Sequence, residues 1–285
     1  GLPYLMLSTT GPLVQSWFAR RFPSGTVYRL FALSNLASLL SLVAYPPLIE
    51  PRVRLHSQAY AWSALYVLFV ALCVASAWSA AKTQAAPAST PAPAATQPTT
   101  SDGSSAPPGM RDYLLWLTLS ALGSLMLLAC TNHITQNVAS VPFLWIAPLV
   151  LYLLSFILVF DVSRGRGRSG WYFRPLFVVP LLALLVGMAY GLVERLSIEN
   201  VWVSVALYCG GLFVCCMFCH GEMAALRPAP RYLTRFYLML SVGGALGGLF
   251  VGLVAPKIFT AYLELPGALV AIAALLFVLS IPRGP

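Results

Sequence analysis

Four stretches of the chain, Pro142–Phe160, Pro175–Val193, Val201–Cys219 and Leu265–Ile281, each run without a single charged side chain. A helix crosses about 30 Å of hydrocarbon with about 20 apolar residues. Lipid offers no water to backbone N–H and C=O groups, so such runs satisfy themselves as helices. Composition agrees: 59% of the 285 residues are hydrophobic and 9% charged, far from the balance of a water-soluble domain. The chain reads as an integral membrane protein.

Five further runs complete the pattern: Leu2–Phe18, Tyr28–Leu48, Gln58–Ala80, Asp112–Thr131 and Phe236–Ala255. The expected fold is all-α, a polytopic transmembrane helical bundle of about nine spans. Basic residues test that division, because short cytoplasmic loops carry the excess of Lys and Arg. With nine spans, only Arg52, Arg54, Arg195 and Lys257 fall on one side, and the other thirteen of the seventeen Lys and Arg residues fall on the opposite side. The richer side is cytoplasmic, and the chain ends there. Removing or adding a middle span would scramble the separation.

The same distribution explains the net charge of +9 without nucleic acid. Its cations lie between apolar spans rather than in a stripe interleaved with exposed aromatics, so no nucleic-acid partner is expected. The lipid bilayer is the first partner. All six cysteines lie in or at the ends of apolar spans, so most read as small buried hydrophobes and no disulfide framework is expected.

Residues 81–111 change character to Ala, Pro, Ser and Thr, a composition that cannot bury enough surface to fold. This stretch is expected to be a disordered cytoplasmic linker dividing three spans in 1–80 from six in 112–285. The first apolar run is already under way at Gly1 and no signal-peptide pattern precedes it, so residues upstream are expected.

Polar residues inside or beside spans are the candidates for function. Ser8-Thr-Thr-Gly-Pro12 predicts a kink, because proline removes a backbone donor and hydroxyls can meet freed carbonyls. Asn35, with Ser34 and Ser38, suits interhelical hydrogen bonding or a ligand contact. Thr131-Asn132-His133-Ile-Thr-Gln136-Asn137 reads as an outer loop. One His with amides is a poor metal set, leaving a solvated loop or a small polar site. The arginines between Asp161 and Arg174 set topology and can also meet anionic headgroups.

The densest chemistry is Cys215-Cys-Met-Phe-Cys219-His220-Gly-Glu222. It contains the Cys-x-x-Cys-His pattern of covalent haem attachment. That attachment belongs to the outer compartment, while the charge count puts His220 on the cytoplasmic side. Zinc would take thiolate and imidazole, but no second ligand cluster occurs. No metal or cofactor is therefore expected. Gly221 can end the helix, which would leave His220 and Glu222 at the membrane surface facing Arg227, Arg231 and Arg235. That arrangement is a structural ion-pair network or a contact surface for a domain or substrate. Farther on, Gly244, Gly248 and Gly252 repeat at four-residue spacing and predict close helix packing. They do not form a nucleotide loop, since Gly243-Gly-Ala-Leu-Gly-Gly248 fails Gly-x-Gly-x-x-Gly and follows no strand.

Several of these stretches together resemble one family. They are Leu7-Ser-Thr-Thr-Gly-Pro-Leu13, Tyr28-Arg-Leu-Phe-Ala-Leu-Ser-Asn-Leu36, Thr131-Asn-His133 with Val141-Pro-Phe-Leu-Trp145, Cys219-His-Gly-Glu222, and Gly243-Gly-Ala-Leu-Gly-Gly248. In this order they are similar to the membrane region of bacterial proteins in which a multi-span region is fused to a cytoplasmic spermidine-synthase-like domain. The resemblance implies a multi-pass protein of the bacterial inner membrane, with spans before Gly1 and a synthase-like domain after Pro285. Spermidine synthases transfer an aminopropyl group from decarboxylated S-adenosylmethionine to putrescine. Their catalytic acids and cofactor loop belong to the soluble domain, so no catalytic residue is carried over. The expected role is anchoring and serving that domain. The alternatives are a small-molecule transporter and an accessory subunit of a larger membrane complex; the scarcity of acids, eight in all, disfavours a polyamine route.

Overall fold

The structure is a computed structural model. It describes residues 10–11, 13–15, 17–18, 28–84, 107–137, 142–160, 170–193 and 201–281. The described residues contain helices and turns and no β-strand. We number the helices α1 Tyr28–Ala44, α2 Leu55–Gln84, α3 Met110–Asn137, α4 Pro142–Phe160, α5 Arg174–Val193, α6 Val201–Ala225, α7 Leu233–Leu249, α8 Ala255–Ile258 and α9 Glu264–Ser280. A π-turn, Phe250–Val254, joins α7 to α8. The predicted span Leu2–Phe18 and most of the predicted linker 81–111 lie outside the described residues. The part of 81–111 that is described is helical through Gln84 and again from Met110.

Six helical stretches are long and apolar enough to cross a membrane: Arg29–Ile49, Leu55–Ser79, Met110–Gln136, Arg174–Val193, Val201–Ala225 and Leu233–Ile258. Leu144–Phe160 and Glu264–Ser280 are shorter apolar helices. Their outward faces carry Leu40, Leu65, Val179, Val186, Val270 and Phe277, all strongly exposed. In water so many exposed aliphatics would form a sticky surface. Against lipid they are the matching solvent. This is a helical membrane protein.

The chain divides into two units, residues 1–23 with 44–107 and residues 24–43 with 108–285. In the first, Pro46 and Pro47 lack backbone donors, and the chain widens into a π-turn over Tyr45–Ile49. Arg52 instead caps the end of the turn: its Nη1 donates to the carbonyls of Pro47 at 2.6 Å and Leu48 at 3.3 Å. The following helix α2 buries nothing of its membrane-length window.

In the second unit α3 and α6 are the central helices, each with half of its membrane-length window buried. Helix α7 runs parallel to α3, because Gly243 lies on Leu117 and Gly247 on Ala121, both indices rising together. Helices α5 and α6 are antiparallel: Gly191 meets Tyr208 while Gly211 meets Met188. The indole Nε1 of Trp116 donates to the Leu226 carbonyl at 3.1 Å, fastening the start of α3 to the end of α6. Phe31 of α1 inserts its ring among Phe156, Phe160 and Tyr237, at 5.2–5.4 Å.

The glycine expectation is corrected by one residue. A Cβ on Gly243 would strike the Leu117 carbonyl oxygen, and one on Gly247 the Ala121 carbonyl oxygen. Gly244 faces only the Ser124 and Ser120 hydroxyls at 3.3 and 3.6 Å, Gly248 has Leu128 Cδ1 at 3.8 Å, and Gly252 has nothing within 4 Å. The close seam is therefore Gly243/Gly247, with Ser120 Oγ donating across it to the Leu240 carbonyl at 2.6 Å.

Candidate functional site

Helix α6 does not stop at Gly221. It continues to Ala225, carrying Cys215 to Cys219 and His220 into the interior, where each is essentially inaccessible. Glycine does not end the helix here, since in lipid a broken turn would orphan backbone groups. Its missing side chain instead admits an aromatic ring: a Cβ on Gly221 would collide with the ring of Tyr172.

A tight turn delivers that ring. Gly170 has φ of +58°, a conformation that a side chain disfavours, and its own Cβ would strike the carbonyls of Leu158 and Val159. The turn lets the Trp171 N–H bond the Leu158 carbonyl at 3.0 Å, where α4 is ending. Tyr172 then folds inward over Gly221, and its hydroxyl donates to Glu222 Oε1 at 2.7 Å. Arg174, opening α5, places Nε 3.4 Å from the same oxygen and its Nη2 3.4 Å from Ser280 Oγ on α9. Burial, with the Glu222 carboxylate beside it, pushes the Tyr172 phenol well above its ordinary value of 10.0, so it remains a donor.

These groups border an open cleft of about 660 Å³. Arg111, Arg174, Glu222 and Ser280 supply its polar wall, and Leu226, Leu279 and Ile281 its apolar wall. Helix starts (α3, α5) and helix ends (α6, α9) converge on it. Glu222 thus pairs with Tyr172 and Arg174 rather than with Arg227, Arg231 and Arg235, as the sequence suggested.

His220 is a separate site. It lies two residues before Glu222, about 3 Å along the helix at 1.5 Å per residue, and has other neighbours. Its ring stacks on Phe156 with centroids 3.6 Å apart and meets Tyr152 edge-on at 5.0 Å. Ser155 Oγ lies 2.8 Å from Nδ1. The Ser155 hydroxyl donates to the Tyr152 carbonyl at 2.7 Å, so its oxygen accepts from Nδ1–H. That fixes the tautomer and leaves the Nε2 lone pair against Gly123, with no hydrogen-bond partner among the described residues. His220 is therefore fully buried within the apolar helical stretch Val201–Ala225, not at the protein surface. A buried polar side chain in such a helix is costly.

The remaining candidates do not join either site. Thr131–Asn137 is the last part of α3, not a loop. Thr131 and Thr135 donate to the carbonyls of Leu127 and Thr131, absorbing their polarity into the helix. His133 packs its ring 4.2 Å from that of Tyr208. It is ten residues beyond Gly123, about 15 Å from the His220 level. The Asn132 carbonyl accepts from Thr135, and Gln136 is exposed. Asn35 donates to the Phe31 carbonyl of its own helix at 2.9 Å.

Sequence reasoning did not single out Tyr172 or Ser155. Ser155 had a signal, the one serine in an otherwise largely apolar span. Tyr172 had a weaker one, three consecutive aromatics directly after a glycine between two spans. Among the described residues no three His, Cys, Asp or Glu side chains gather as a metal set. No protein-family model, curated protein or solved structure matches the chain.

Proposed function

We propose that the chain is the membrane domain of a bacterial inner-membrane protein similar to the fused spermidine-synthase-like family. In this reading it crosses about nine times, ends in the cytoplasm, and anchors and serves an aminopropyltransferase-like domain. The observation that carries the proposal is the cleft between Arg111, Arg174, Glu222 and Ser280. It opens at the end of the bundle that the thirteen-to-four charge division assigns to the cytoplasm. A domain joined to or docked at that face would meet fixed charges and an apolar shelf together. Intact mass and aminopropyl transfer, measured on the native protein purified from its membranes, test the reading. A mass well above 30.7 kDa, or a co-purifying partner, together with transfer activity supports it. A 30.7 kDa protein without either overturns it.

A second reading, small-molecule transport, is favoured by His220, a buried imidazole whose Nε2 has no hydrogen-bond partner among the described residues. Polyamine is a poor cargo for this cleft, whose two arginines outnumber its single carboxylate. Liposomes containing the protein would show substrate-dependent flux if this reading holds. Flux equal to that of empty liposomes would remove it.

A further inference from the structure

We propose that the cleft is a binding site for a phosphate group carried on an apolar body, the chemistry of an anionic phospholipid. The proposal rests on the cleft residues alone and is independent of any partner domain. Its two cations do different jobs. Arg174 is held by Glu222 and Ser280, which fixes the guanidinium in place and leaves part of its donor edge toward the cleft. Arg111 is exposed, on the first turn of α3, and has no hydrogen bond or ion pair among the described residues.

Guanidinium groups present planar forks that match phosphate oxygens, and two from different helices can share one phosphate. Glu222 neutralises one positive charge and leaves the cleft with a net surplus of one. That balance suits a singly charged phosphodiester better than an amine. Opposite the charges, Leu226, Leu279 and Ile281 form an aliphatic wall, which a free ion would leave unused and a glycerol–acyl segment would cover. The volume of about 660 Å³ is in the range of small-molecule sites. A position at the helix ends, where headgroups lie, supplies the ligand at high local concentration.

The test is a thermal-shift titration of the purified full chain in neutral detergent. The probes are dihexanoylphosphatidylglycerol, dihexanoylphosphatidylcholine and inorganic phosphate. Saturable protection by the phosphatidylglycerol is expected, about tenfold tighter than by the zwitterionic lipid, and Arg111→Gln should weaken it about tenfold, the scale of one lost hydrogen bond to a charged group. Arg111 has no hydrogen bond or ion pair to lose among the described residues, so the variant should melt like the wild type without ligand. Arg231→Gln, at the same end but outside the cleft, should bind as the wild type does. Protection by phosphatidylglycerol alone assigns a lipid. Protection by inorganic phosphate at similar concentration, also lost in Arg111→Gln, assigns the phosphate group to a soluble source. Absence of saturable protection by either, or equal losses in Arg111→Gln and Arg231→Gln, overturns the site.

Discussion

Replacing Gly247 by alanine adds one methyl group at the tightest point between α7 and α3. The new Cβ would collide with the Ala121 carbonyl oxygen and stand 3.1 Å from both Leu125 N and Ser124 Cβ. Two of those three atoms are backbone in a central helix, so no rotamer change relieves the contact and the helices must separate. Overpacking of this kind costs about 1–3 kcal/mol. Separation also stretches the Ser120–Leu240 hydrogen bond, now 2.6 Å, worth about 0.6 kcal/mol inside a membrane. Alanine's helix preference over glycine returns about 0.5–1 kcal/mol. The expected net loss is therefore about 1–3 kcal/mol, read by SDS titration of the protein in mixed micelles. Gly248→Ala, whose new methyl meets only Leu128 Cδ1 at 3.8 Å, should be neutral or slightly stabilising. If Gly248→Ala were the damaging variant and Gly247→Ala harmless, the α3–α7 seam described above would be wrong.

Three further outcomes follow from the two sites. Tyr172→Phe should lose about 1.5–3 kcal/mol at neutral pH, the range for a hydrogen bond to a charged group. The phenol is raised above 10.0 in the folded protein, so its contribution is full below pH 10 and declines as pH rises beyond it; the gap between wild-type and Tyr172→Phe melting should narrow above pH 10. Gly221→Ala should expel the Tyr172 ring and cost at least as much as Tyr172→Phe, measured by the same melts, while leaving the α3–α7 seam intact. Ser155→Ala leaves Nδ1–H of His220 without its acceptor, and a loss of about 1–3 kcal/mol is expected from the buried unsatisfied donor. In that variant the imidazole nitrogen shifts, read by NMR of ¹⁵N-histidine protein, should no longer report a single Nδ1–H tautomer.

The helices were legible because lipid imposes one length and one backbone solution on any apolar run. The predicted span Pro142–Phe160 coincides with α4, and Val201 and Val193 mark true helix boundaries. The faces of those helices were not legible. Gly243/Gly247 and Gly244/Gly248 have the same spacing, and only the position of α3 decides which pair carries the contact. Polar stretches misled for a related reason. Thr131 and Thr135 return their hydroxyls to carbonyls one turn back, so a run that looked like a loop continues a helix. At Glu222 the nearby arginines in sequence were not its partners, because the Gly170 turn brings Tyr172 and Arg174 from the far side of the apolar span α5 follows. Four of the six cysteines, Cys130, Cys215, Cys216 and Cys219, are buried, while Cys73 and Cys209 are half-buried.

The proposed reading puts the Arg111–Arg174–Glu222 cleft on the cytoplasmic side and has α9, the shorter apolar helix, cross the membrane. Ser280 lies on its rim, and Tyr262, 69% exposed, precedes the opposite end of the helix. Labelling Ser280→Cys and Tyr262→Cys with a membrane-impermeant maleimide, in right-side-out and inverted vesicles, tests this most directly, with the wild-type cysteines as background. Ser280→Cys should label in inverted vesicles and Tyr262→Cys in right-side-out vesicles. Labelling of both from one side, or the reverse assignment, would contradict it.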